Sequence, residues 1–268
     1  MIMNRAHNRP MRRASARVLS RDAASGVAYV TVRAAIATAV ALTVFAASDA
    51  SAQSSARPVS TAPSAASSAA ADAAYDRAAK SWRALKSVEA RFEQKITNPL
   101  LGRTATSRGT FIQQRPGKIA ITFTDPVGDR IVGDGKFLWV YLPSSAPNQV
   151  IKLPANAEGA VIADMLGQLL DTPRRTFTIS GGEAATIEGR ATRRVHLVPR
   201  TAGSVAFQRA TLWIDDKESR PVRVQVVDQQ GVDRTITMMT WSPNAPVPKD
   251  AFKFAVPKGA KVLTKLPG

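Results

Sequence analysis

The sequence contains no cysteine among its 268 residues. Disulfide frameworks, thiolate metal sites, cysteine nucleophiles and a lipidated cysteine are therefore all excluded. Histidine is nearly absent too: beyond residue 52 only His196 remains, inside a strand-like Arg-Arg-Val-His-Leu-Val run. The sequence also lacks a G-x-S-x-G elbow, an H-E-x-x-H pair, a P-loop and a dinucleotide fingerprint. Asp215-Asp216 and Glu183 are isolated turn carboxylates. No catalytic residue is assigned, neither metal ligands nor a cofactor are expected, and the chain reads as a non-enzyme. Acidic residues are scarce, 20 against 37 Lys and Arg, for a formal charge of +17. Such a balance suggests an anionic partner. Yet the basic residues are scattered rather than gathered into one tract, and no aromatic-basic platform is visible, so nucleic acid is not expected as a partner.

What is present begins with an export signal. A basic N-terminal stretch ends at Arg33 and leads into the apolar run from Ala34 to Ala47, followed by Ala50-Ser51-Ala52. The apolar run is roughly half to three-quarters of the length that spans a bilayer. The arrangement predicts a secretory signal peptide over 1–52, cut after Ala52. The basic part is long, and Met11 is an alternative start. Residues 53–71 are Ser, Ala and Pro with no aromatic, which predicts a disordered linker. Residues 72–268 form the folded domain.

That domain opens with an amphipathic helix. Asp72 is its expected N-cap, Tyr75, Ala78, Trp82, Leu85 and Val88 share one face, and the pattern can run to Ala90. The period then changes to two. Strands are expected at Phe92–Thr97, Gly109–Gln114, Lys118–Thr124, Arg130–Val132, Phe137–Leu142 and Asn148–Leu153. Gly133-Asp134-Gly135-Lys136 supplies a hairpin turn. A second helix is expected over Gly159–Leu170. Further strands follow at 176–180, 186–188, 193–198, 206–214, 222–228, 233–241 and 252–254. The fold class is mainly β (α+β). About ten or eleven short-linked strands make one antiparallel sheet, which must curl. The two helices can cover its concave face, giving an incomplete antiparallel β-barrel with a helical lid over an apolar interior, filled by ligand or by side chains.

Four segments carry a family resemblance. Ala90-Arg91-Phe92-Glu93-Gln94 is similar to an A-x-F-x-Q first strand, and Arg115-Pro116-Gly117-Lys118-Ile119 to an R-P-x-x-[FL] turn. Val132 through Tyr141 is similar to a V-x-D-G-x-x-L-W-x-Y hairpin. Phe252-Lys253-Phe254 with Pro257-Lys258-Gly259 is similar to a closing F-x-F-x-x-P-x-G. In this order and spacing, from about residue 75 to 263, the chain resembles the LolA family of periplasmic outer-membrane lipoprotein carriers. The absent lipid-bearing cysteine suits the soluble carrier rather than its anchored receptor relative.

The resemblance implies a monomeric periplasmic chaperone. It would bind the acyl chains of lipoproteins released by an inner-membrane ABC transporter complex and deliver them to an outer-membrane receptor. It further implies that Arg115 hydrogen-bonds the lid in the empty state until cargo breaks the contact. Backbone carbonyls at a helix end are the expected acceptors. The candidate ligand-binding and lid residues are Arg115, Phe111, Ile119, Ile121, Phe123, Leu138, Val140, Met165, Leu166 and Leu169. Trp139 and Tyr141 replace Leu138 and Val140 if the other face of that strand is concave, while Trp82 and Trp213 are expected to serve as packing residues. A carrier or sensor of another lipid, such as a glycolipid or an envelope-stress ligand, is the alternative on the same fold.

Overall fold

The computed structural model describes residues 65–157 and 164–264. The signal peptide, the first part of the proposed linker and the start of the second helix lie outside the described residues.

The first helix, α1 (Ala65–Ala84), begins seven residues before Asp72. The Ala/Ser run expected to be a linker is helical from residue 65, because alanine is the strongest helix former and the run finds a surface to pack on. Ala71, Ala74, Tyr75, Ala78 and Trp82 are almost fully buried at spacings of three and four. The helix ends well before Ala90. A turn follows, in which the Leu85 N–H donates to the Trp82 carbonyl, and alternation of period two starts at Ser87.

Among the described residues thirteen strands follow: β1 (Ser87–Asn98), β2 (Arg103–Gln114), β3 (Lys118–Asp125), β4 (Val127–Asp134), β5 (Phe137–Tyr141), β6 (Gln149–Pro154), β7 (Phe177–Ile187), β8 (Arg190–Pro199), β9 (Phe207–Asp215), β10 (Pro221–Asp228), β11 (Asp233–Met238), β12 (Ser242–Pro243) and β13 (Lys261–Leu263). The short helix α2 (Met165–Leu170) and a 3₁₀ turn (Arg174–Thr176) separate β6 from β7.

All the strands form one sheet in the order β13-β6-β5-β4-β3-β2-β1-β11-β10-β9-β8-β7, with β12 beside β1. Most neighbours are hairpin partners. The long-range pair β1·β11 joins the two runs, with Phe92 opposite Met238, and β13 alone runs parallel, against β6. Among the described strands β7 and β13 do not pair, so the sheet stays open. It is nevertheless curled: Leu153 of β6 and Val195 of β8, far apart in strand order, belong to one buried cluster with α1 and α2. The expected incomplete barrel with helices over an apolar inner face is the observed architecture.

α1 lies on β7, β8 and β9. Gly182, at φ +100, permits this approach, since a Cβ there would strike the Ser67 carbonyl. Three details differ from expectation. Two expected strands, at 176–180 and 186–188, are the ends of one strand, β7, which holds its pairing through a register shift at Gly181–Ala184. Residues 252–254 are not a strand but part of an irregular segment on the outer face. There Phe254 stacks on Trp139 at 5.5 Å, and the Lys152 ammonium lies 3.8 Å from the Phe137 ring. Finally, the strand count exceeds the expected ten or eleven because β12 and β13 are too short to show a period.

The β4–β5 hairpin turns at Gly135-Lys136 as expected. Asp134 caps it, its carboxylate accepting from the N–H groups of Lys136 (2.8 Å) and Phe137 (2.7 Å) and from Trp139 Nε1 (3.0 Å). Burial raises the Asp134 pKa, but these bonds outweigh it and the net shift is downward.

Candidate functional site

The site is built around α2, six residues long and too short to persist alone in water. Its own contribution is an N-cap: the Asp164 carboxylate accepts from the Gly167 N–H at 2.9 Å. Leu166, Leu169 and Leu170 are buried and Met165 half-buried. Everything else that holds α2 comes from elsewhere. The last carbonyls of a helix need outside donors, and α1 provides them. The Tyr75 hydroxyl donates to the Leu169 carbonyl at 2.9 Å, and Arg83 Nη2 to that of Leu170 at 2.9 Å. Burial pushes the Tyr75 phenol up to about 12, so it remains a donor. Beyond the helix, Arg174 pairs with Asp72 and, at 3.2 Å, with Asp76.

Two contacts tie α2 to the sheet. Gln113 Nε2 donates to Asp164 Oδ1 at 3.2 Å. Arg115, just after β2, grips Asp171 with both fork nitrogens, at 2.9 and 3.0 Å. The expectation of backbone acceptors for Arg115 is corrected here: those carbonyls are already taken by Tyr75 and Arg83, and the carboxylate that follows the helix accepts instead. Trp82 is more than packing. Its Nε1 donates to Asp171 Oδ2 at 3.1 Å, and the Arg115 guanidinium lies 5.7 Å from its ring. The Arg115 and Asp171 side chains are 29% and 33% exposed, so the pair can be reached and screened by solvent.

Between α2 and the β2–β5 end of the sheet is a cavity of about 270 Å³. Ile119, Gly133, Leu138 and Ala155 supply apolar wall; Gln113, Asp164 and Gln168 supply a polar one. Asp164 is the carboxyl of this wall. Its burial raises the pKa, and the bonds from Gly167 and Gln113 offset this only in part.

All nine apolar candidates stand on the inner face or on α2, but only Ile119 and Leu138 reach the cavity wall. Phe111 is buried beneath the lid, as are Leu166 and Leu169. Ile121, Phe123, Val140 and Met165 are half-buried around them, with Phe123 edge-on to Phe92 at 5.8 Å. On β5, Leu138 and Val140 face inward, whereas Trp139 and Tyr141 face outward against Phe254.

Sequence reasoning missed the polar members: Gln113, Asp164, Asp171, Tyr75 and Arg83. Asp164 had a usable signal, an Asp directly before the apolar Met-Leu-Gly-Gln-Leu-Leu run. The others had none, being polar residues whose partners are distant in sequence. His196 lies away from the cavity, with Nδ1 3.1 Å from the Thr211 hydroxyl. Burial and then Arg194 lower its pKa. The carboxylates expected in turns lie on strands instead, Glu183 within β7 and Asp215 buried at the end of β9, and they pair with Arg194 and Arg190.

The geometry is that of a curled, open and mostly antiparallel sheet whose apolar inner face is covered by a short helix held from outside. The family model described as "Outer membrane lipoprotein carrier protein LolA" matches residues 83–255. The chain belongs to the LolA family. Among its relatives, an outer-membrane lipoprotein carrier protein of Chromobacterium violaceum is 27% identical over 183 residues, covering 67% of this chain and 82% of the relative. One from Cupriavidus necator is 30% identical over 162 residues, with coverages of 60% and 72%. A solved structure of an uncharacterized conserved protein from Thermus thermophilus aligns with a TM-score of 0.46 at 15% identity, over 73% of this chain and 99% of that one.

Proposed function

We propose that this protein is a periplasmic carrier that takes up the acyl chains of lipoproteins, shields them beneath α2, and hands them to an outer-membrane receptor. An inner-membrane ABC transporter complex that releases lipoproteins is the proposed donor. Family membership and the predicted export signal support the compartment and the cargo class. The observation that carries the reading is the latch: an apolar inner face closed by a short helix that is held to the sheet through the partly exposed Arg115–Asp171 pair.

Magnitudes give the latch its purpose. A cavity of about 150 Å³ accommodates benzene, so the 270 Å³ here admits a short hydrocarbon stretch, not several long chains. Uptake therefore requires α2 to move, which adds the half-buried Ile121, Phe123, Val140 and Met165 to the ligand surface. Each buried CH₂ contributes ~0.8 kcal/mol. Enclosing several chains would gain tens of kcal/mol, past the practical limit of ~20 kcal/mol, and nothing so bound would be released. A closed resting state subtracts from that gain, because cargo must first displace Arg115 from Asp171 and Gln113 from Asp164. The protein on this reading binds and transfers without covalent chemistry.

The test is release. Spheroplasts of a Gram-negative host are incubated with purified protein, and lipoprotein in the soluble fraction is counted while bound species are identified by mass spectrometry. Triacylated protein in the soluble fraction, bound to this chain, is the expected result. No release above a control without carrier, together with free glycolipid as the copurified ligand, would overturn the proposal in favour of another lipid.

A further inference from the structure

The β1–β2 hairpin projects from the end of β2 opposite to α2. β2 pairs with β3 only from Arg108 onward, where Asp125 is its partner. Residues 103–107 pair with β1 and have no strand on their other side among the described residues. These five residues carry the turn about 17 Å past the end of β3. From Arg103 at the turn to Gln113 beneath α2 is ten residues of one strand, about 34 Å. The tip therefore lies outside the acyl site.

The turn is Pro99-Leu100-Leu101-Gly102. Turns favour Gly, Asn, Asp and Ser, yet here Leu100 is 80% and Leu101 66% exposed. Single apolar side chains on a surface are ordinary; two adjacent ones at the tip of a projecting ribbon are not. The turn is also preformed. Asn98 Oδ1 accepts from the N–H groups of Leu100 (3.0 Å) and Leu101 (3.2 Å), Pro99 has none, and Gly102 supplies the positive φ of +58. The Thr97 and Thr104 hydroxyls meet across the ribbon at 3.1 Å. The tip can leave water without stranding those backbone donors, which entry into a bilayer demands.

Behind the tip the ribbon is basic. From Lys95 to Ser107 the only charged residues are Lys95 and Arg103, both exposed. The carboxylates around them are engaged: Glu93 and Asp125 with Arg108, at 2.9 and 3.5 Å, and Asp233, opposite Thr97, with the Gln225 amide at 2.6 Å. Two leucines ahead of two cations match a bilayer, where apolar side chains reach the acyl boundary and long basic ones stay at the phosphates. A protein partner fits less well. A stable interface takes roughly 800 Å² from each side, and a two-leucine turn offers a fraction of that. The excess of 37 Lys and Arg over 20 Asp and Glu favours an anionic surface in the same direction.

We infer that the β1–β2 hairpin is a membrane-docking element: Leu100 and Leu101 enter the interface of an anionic bilayer while Lys95 and Arg103 rest on its phosphate groups. The inference goes beyond the carrier reading and does not depend on it.

The test is co-sedimentation of the chain processed after Ala52 with lipid vesicles. Vesicles of phosphatidylcholine containing one-quarter phosphatidylglycerol are compared with vesicles of phosphatidylcholine alone. The wild type is expected to partition onto the anionic vesicles roughly tenfold more strongly or better, each basic residue supplying about fivefold. Leu100→Ser/Leu101→Ser should lower that partitioning by roughly tenfold or more, the factor that burial of one leucine gives. Lys95→Gln/Arg103→Gln should bring the two vesicle types level. Val127 is 84% exposed but sits at the β3–β4 turn, short of the tip, so Val127→Ser should bind as the wild type does. All the substituted side chains are exposed, and near-ultraviolet circular dichroism should not change. Equal partitioning of the wild type onto both vesicles, or binding that survives in Leu100→Ser/Leu101→Ser, overturns the inference. So does an equal loss in Val127→Ser, which would mean general stickiness. A wild type that stays in solution with both vesicles overturns it in favour of a protein partner at the tip. Titration with a triacylated lipopeptide reads the acyl site separately. Its failure in the wild type would sink the carrier reading and leave the vesicle result standing.

Discussion

Arg115 and Asp171 meet across 56 positions of sequence, and each is about one-third exposed. A pair so placed contributes only about 1 kcal/mol to folding, which makes it weak as a support and suitable as a latch. A latch that favours the closed state must oppose ligand, since a ligand shifts an equilibrium only by its differential affinity. Arg115→Leu is therefore expected to stay folded, to bind a triacylated lipopeptide several-fold more tightly and to release it more slowly. Weaker binding in equilibrium titration would refute the latch. Arg115→Lys should fall between, because an ammonium cannot reproduce the two-pronged grip. Asp164 poses a different problem, being a buried carboxyl whose pKa is raised. Below the ordinary aspartate value of 3.8 both folded and unfolded states hold the proton and nothing is lost. As pH climbs from there through the raised folded-state value, the unfolded chain gives up its proton first, and stability falls. Asp164→Asn keeps a good N-cap without the charge. Its denaturation midpoint should exceed that of the wild type at neutral pH, and the gap should close on acidification toward 3.8. Arg115 was singled out in the sequence only through the resemblance of its Arg-Pro turn to the family's. Its true acceptor was not, because no local pattern marks which distant polar group a guanidinium finds.

At the scale of elements, α1 and the outer-face segment carry the instructive differences. The helix begins inside a Ser/Ala run whose composition reads as linker, and what fixes it is the smooth landing on β7 at Gly182. Gly182→Ala would place a methyl group against the Ser67 carbonyl at a positive φ. We expect a loss of about 2 kcal/mol or more, measurable by chemical denaturation and accompanied by reduced helical circular dichroism. Strands were legible wherever one face is wet, as in β1 from Phe92 onward, where Phe92 and Gln94 are buried while Lys95 is exposed; Val88 and Ala90, read as the end of the helix, belong to the same strand. On β5 alternation could not choose a face. The reason is physical: both faces are covered, Leu138 and Val140 by the core, Trp139 and Tyr141 by Phe254, so both look apolar. Phe254→Ala should cost about 2–3 kcal/mol and shift tryptophan emission as Trp139 loses its stacking partner, with little effect on ligand affinity. A large loss of binding would place the outer face in the functional site.

For the described part of the molecule, the open curled sheet was foreseeable from the number and brevity of the strands, but the joining of its two runs by β1·β11 was not, because that pairing links segments far apart in sequence and depends on no local signal. The same topology divides the molecule into parts of unequal mobility. α1 is seated on β7, β8 and β9 by nearly fully buried side chains from Ala71 to Trp82, and moving it would expose much of the core. α2 is one and a half turns long and cannot sustain itself; Leu166, Leu169 and Leu170 seat it in the core, and polar contacts tie it to the sheet at Gln113 and Arg115. Opening should therefore occur between α2 and β2 while α1 and the β7–β10 wall stay in place. Hydrogen exchange with and without a triacylated lipopeptide distinguishes this from a general loosening. The amides of Gln168 and Asp171, bonded to the carbonyls of Asp164 and Gly167, are expected to exchange faster in the loaded protein, with β8–β10 unchanged. Arg115→Leu alone should move the free protein part of the way toward that pattern. Uniform protection on loading, α2 included, would mean that cargo enters a preformed hollow and that the lid plays no part.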